Sequence, residues 1–73
     1  MKDEHFIQFK KAKDLVEQRK YGEANKILEN LLKKEPNDSF IKFEYAKNLL
    51  NIGYNEKAKY YFEQLMQIGD KKR

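Results

Sequence analysis

Ala24-Asn25-Lys26-Ile27-Leu28-Glu29-Asn30-Leu31-Leu32 and, thirty-four residues on, Ala58-Lys59-Tyr60-Tyr61-Phe62-Glu63-Gln64-Leu65-Met66 share one pattern. In the first, Ala24, Ile27, Leu28, Leu31 and Leu32 fall at i, i+3, i+4, i+7 and i+8; in the second, Ala58, Tyr61, Phe62, Leu65 and Met66 do the same. That spacing gathers five apolar side chains on one face of a helix. Lys26, Asn30 and Lys33, like Lys59, Glu63 and Gln67, take the opposite face.

Working outward, the same shift superimposes the rest of the chain. Phe6 meets Phe40, Ile7 meets Ile41, Phe9 meets Phe43, Ala12 meets Ala46, Lys13 meets Lys47 and Leu15 meets Leu49. Chance would supply only two or three identities, at ~6% per position. A period of this length marks stacked structural repeats. The segments around Phe6–Val16 and Phe40–Leu50 are apolar over more than half their circumference, which predicts helices sandwiched between neighbours. Pro36-Asn37-Asp38-Ser39 separates the copies: proline bars helix continuation, and Asp38 or Ser39 can cap the next helix. Gly22 and Gly53 are expected in the two turns inside the copies, and Gly69 at the end of the last helix. Helices are predicted at about 4–20, 22–34, 38–52 and 55–68. The expected fold is a single all-α domain over residues 1–73, with one helical hairpin at about 5–38 and its repeat at about 39–72.

These residues resemble the tetratricopeptide repeat, whose signature runs W-x2-L-G-x2-Y, A-x3-F, then P. The matching positions are Gln8, Lys11, Ala12, Leu15, Ala24, Leu28 and Pro36 in the first copy. In the second they are Lys42, Tyr45, Ala46, Leu49, Ala58, Phe62 and Asp70. Lys20-Tyr21-Gly22-Glu23-Ala24 looks like the family's hairpin turn, and Glu35-Pro36-Asn37-Asp38 like its boundary. Gln8 and Lys42 replace the aromatic residue, Lys11 a leucine and Asp70 the closing proline; Ile7, Phe9, Ile41 and Phe43 stand beside the polar pair to compensate. The resemblance implies two helix-turn-helix units, four antiparallel helices in a right-handed superhelical stack. It also implies ligand binding on a concave face lined by the first helix of each unit. Here that face would carry Phe6, Phe9, Lys13 and Val16 from one copy, and Phe40, Phe43, Lys47, Leu50 and Asn51 from the other. Some members clamp a partner's terminal carboxylate, but Phe9, Phe43 and Glu44 stand where basic and amide groups would be needed.

Composition narrows the function classes. Sixteen Lys plus Arg oppose twelve Asp plus Glu, with both signs interspersed and a basic tail at Lys71-Lys72-Arg73. No one face gathers the lysines as a phosphate-tracking surface requires, so a nucleic-acid-associated module ranks behind a protein-binding one. There is no cysteine and one histidine, so no common zinc ligand set can form, and no cofactor is expected. Ser39 is the only serine, no glycine-rich phosphate loop occurs, and the carboxylates alternate with lysines as on solvated helices; no enzyme chemistry is expected. His5 is expected at a frayed end. No run approaches the roughly twenty apolar residues of a membrane span, and the polar, acidic start is unlike a signal peptide, so a cytoplasmic setting is the default.

A stack ordinarily needs three repeats or more. The last helix, with Tyr61, Phe62, Leu65, Met66 and Ile68, should therefore leave apolar surface open. The expected partners are a protein or peptide on the concave face and a second copy of the chain, for instance a two-fold dimer that buries the last helix; the alternative is a piece of a longer repeat array. For the phenylalanines, the competing reading is that they are core or dimer contacts.

Overall fold

A computed structural model describes the backbone of residues 2–70 and the side chains of residues 2–66. The chain forms four α-helices, with no strand among the described residues: α1 (Asp3–Glu17), α2 (Tyr21–Lys34), α3 (Ser39–Ile52) and α4 (Asn55–Asp70). Asp38 caps α3, its Oδ1 accepting from the Ile41 N–H at 3.0 Å. Asp3 and Glu4 in the first turn of α1, and Lys33 and Lys34 in the last turn of α2, carry the charges that each helix dipole favours.

The two hairpin turns match at an interval of thirty-four residues. Arg19 (φ 64°) and Gly53 (φ 106°) are the two described residues in the left-handed region, and they are register partners. Around them the Lys20 N–H donates to the Leu15 carbonyl at 2.8 Å, and the Tyr54 N–H to that of Leu49 at 2.9 Å. The next helix then starts with Ala24 N–H to the Lys20 oxygen (3.1 Å) and Ala58 N–H to the Tyr54 oxygen (3.0 Å). Such bonds across a left-handed residue close a helix C-terminus. Three sequence expectations change accordingly. Gly22 lies in the first turn of α2, not in the connecting turn, whose left-handed residue is Arg19. That residue stops α1 at Glu17, short of the expected position 20. Gly69 does not end α4, which runs on to Asp70.

Each helix packs on its neighbour in sequence, and α1 also touches α3; among the described residues α4 reaches neither α1 nor α2. In a closed four-helix bundle the first and last helices would meet. The extents, 39 × 30 × 18 Å, are those of a slab, and the radius of gyration of 12.2 Å exceeds the ~11 Å of a compact chain of this length. Ala12, Ala24, Ala46 and Ala58 are all fully buried, which lets each hairpin's helices approach closely. Phe9, Leu28, Leu31, Ile41, Tyr45 and Leu49 fill the rest of the core.

Only one of the two first helices is sandwiched. α3 buries Ile41, Tyr45, Ala46, Asn48 and Leu49, because α1, α2 and α4 all lie against it. α1 buries only His5, Phe9 and Ala12, and Ile7 on its outer side is 65% exposed. Compensation for the polar Gln8 and Lys42 thus comes from Phe9 and Ile41; Ile7 and Phe43 stay outside. His5 is not frayed: it is buried, and its Nδ1 bonds the Glu35 carboxylate, tying the start of α1 to the end of α2. No helix among the described residues is long and apolar enough to cross a membrane.

Candidate functional site

Phe6, Phe9, Lys13 and Val16 on α1, and Phe40, Phe43, Lys47, Leu50 and Asn51 on α3, recur at intervals of three, four or seven, so each set lines one side of its helix. α1 and α3 touch, and where the end of α1 reaches α3 a shallow groove is lined by Val16, Glu44, Lys47, Asn48, Leu50 and Asn51. Four of the expected residues, Val16, Lys47, Leu50 and Asn51, therefore share one concavity.

The aromatic members divide. Phe9 belongs to the core, with the Lys13 ammonium 5.8 Å from its ring centroid. Its register partner Phe43 is 46% exposed. Phe43 packs edge-on against Phe62 at 6.1 Å and carries the Lys47 ammonium 4.8 Å over its ring. Lys47 is further held by Glu44 at 3.3 Å, whereas Lys13 makes no ion pair among the described residues. Phe6, Phe40 and Leu50 are open to solvent, Phe40 the most at 71%. A cation over an aromatic face at an exposed site is worth about 0.5–1 kcal/mol, enough to bias Lys47 toward Phe43 but not to lock it there.

On α4 the expected interface residues are only partly free. Tyr61 stands edge-on to Tyr45 at 5.2 Å, Phe62 rests on Phe43, and Tyr61, Phe62 and Leu65 are half-buried. Met66 is 67% exposed; the side chain of Ile68 lies outside the described residues. No family model, curated protein or solved structure matches the chain.

Two polar arrangements had no signal in the spacing. The Tyr45 hydroxyl donates to Glu29 Oε2 at 2.9 Å, and Asn48 Nδ2 donates to the Tyr21 carbonyl at 3.0 Å, so both couple α3 to α2. Burial, then the bond to Glu29 and its charge, hold the Tyr45 phenol well above its ordinary value of 10.0. A second cleft, lined by Glu29, Lys33, Lys42, Tyr45, Tyr60 and Gln64 among others, opens between α2, α3 and α4. Tyr45 could have been suspected as a joint from its place between Ala46 and the apolar run; Asn48 looks in sequence like any surface asparagine. Among the described residues no cluster of three His, Cys, Asp or Glu side chains is placed to hold a metal.

Proposed function

We propose that the chain is a protein-interaction module built of two tetratricopeptide-type hairpins, which takes a peptide or a partner helix along the side of α1 and α3. One observation carries this: Phe6, Phe40, Phe43 and Leu50, large apolar side chains, stand 46–71% exposed on these two touching helices. Exposed aromatic side chains of this kind are the anchors from which protein interfaces draw most of their energy. The recurrence of the turn hydrogen bonds at the repeat interval and the contacts between successive helices support the repeat reading. The chemistry favours a partner with an apolar anchor and an acidic flank, the anchor against Phe40 and Phe43 and the acid toward Lys13.

Fluorescence polarisation with short peptides carrying a leucine or phenylalanine beside aspartates tests this. Phe40→Ala and Phe43→Ala should weaken capture while Phe40→Ala melts like the parent. Phe9→Ala should instead destabilise the fold, by about 3–5 kcal/mol as for a buried phenylalanine. Capture that survives loss of both Phe40 and Phe43 sinks the reading. Retention on single-stranded RNA or DNA that fades with salt would favour the nucleic-acid alternative.

A further inference from the structure

Within the chain, α3 lies on α2 through three successive rows. Asn48 donates to the Tyr21 carbonyl, one turn from the half-buried Asn25; Tyr45 donates to Glu29; and Leu32 packs on the cluster that holds the fully buried Ile41. The rows run backward along α3 and forward along α2, so the two helices are antiparallel.

Shifting every residue of these rows by the repeat interval gives the two end faces of the molecule. In place of Asn48, Tyr45 and Ile41, α1 offers Asp14, Lys11 and Ile7; in place of Asn25, Glu29 and Leu32, α4 offers Lys59, Glu63 and Met66. All six are exposed, Ile7 at 65% and Met66 at 67%. Row by row they are complementary: Asp14 with Lys59, Lys11 with Glu63, Ile7 with Met66. We infer that a second copy of this chain docks its α1 onto α4, head to tail, repeating between molecules the contact that α3 makes with α2 inside one. The inference rests on the reading of the chain as one hairpin repeated, and it names the partner for the second surface of that module.

Charge order also selects against a symmetric pair. An antiparallel two-fold contact between two α4 helices would set Glu63 near Glu63, and one between two α1 helices Lys11 near Lys11. Like charges at the centre of a contact oppose it. A head-to-tail contact uses different surfaces on the two partners, so it does not close at the dimer and assembly grows with concentration. Resting on exposed ion pairs, it should be weak and should fade as salt rises.

Sedimentation velocity of the full chain across a concentration series, at low and high salt, tests this. The parent should form dimers and larger species at low salt. Lys11→Glu sets a second carboxylate against Glu63, and Glu63→Lys sets a second ammonium against Lys11. Each alone should weaken association roughly tenfold, the factor that corresponds to ~1.4 kcal/mol. Mixing the two variants should restore it, since each then meets an opposite charge. If either variant melts early, Asp14→Lys and Lys59→Asp, alone and mixed, make the same comparison on the neighbouring row. A parent that stays monomeric into the millimolar range, or a dimer indifferent to Lys11→Glu, overturns the inference. Peptide capture by Phe40 and Phe43 should be unchanged in Lys11→Glu; its loss would count against the interaction surface proposed above rather than against the head-to-tail contact.

Discussion

Four alanines govern how closely the paired helices lie, and each is completely enclosed. Ala46→Leu should therefore overpack α3 and cost about 1–3 kcal/mol. In a domain this small that lowers the melting midpoint by roughly 4–8 °C per kcal/mol. Tyr45 is tied to α2 through its hydroxyl. Its phenol is raised in the folded state, so the stabilising term is whole below pH 10 and is lost as pH climbs from there through the folded value. Ultraviolet titration should show its phenolate appearing only with unfolding. Tyr45→Phe should remove that alkaline dependence and, near neutrality, cost about 0.5–1.5 kcal/mol for the bond to Glu29. Alanine roles were legible in the sequence, since small residues at matching places in both helices of a hairpin have one obvious use. The joint made by Tyr45 and Asn48 was not, because hydrogen-bond partners sixteen and twenty-seven residues away leave no mark on local spacing.

At the scale of the elements, the two hairpin turns make a matched experiment. Gly53 sits at φ 106° with no atom within 4 Å of an added Cβ, so Gly53→Ala should destabilise through backbone strain alone, by about 1–2 kcal/mol. Arg19 already bears a side chain in the left-handed region, so Arg19→Gly should stabilise by up to about 1 kcal/mol. Gly22, in open space in the first turn of α2, should gain about 0.4–1 kcal/mol on becoming alanine. Parallel thermal melts of the three variants would read one residue type with opposite signs. Spacing located both turns but put the wrong residue in the first, because glycine is the usual marker of a left-handed position and the chain uses arginine there. The cap was better marked: Asp38→Ala should cost about 1 kcal/mol and loosen the start of α3.

Over the whole molecule, the ends of the first hairpin are tied by His5 and Glu35. The hydrogen bond from His5, reinforced by its charge, holds the Glu35 carboxyl below its ordinary 4.5 against the opposing effect of burial. The contribution is complete above pH 4.5 and disappears as pH falls through the lower, folded value. Glu35→Gln should flatten the acid limb of a plot of melting midpoint against pH. The sequence by itself determined the number, order and approximate bounds of the helices, and which small residues lie between them. Periodicity, turn residues and repetition are properties of neighbours along the chain. Tertiary structure alone decided that Phe9 is core while its partner Phe43 is surface, that α3 rather than α1 is enclosed, and that His5 is buried. Those outcomes depend on which helix has another at its side: residues thirty-four apart part ways because α3 lies against α1, α2 and α4, while among the described residues α1 lies against α2 and α3 alone.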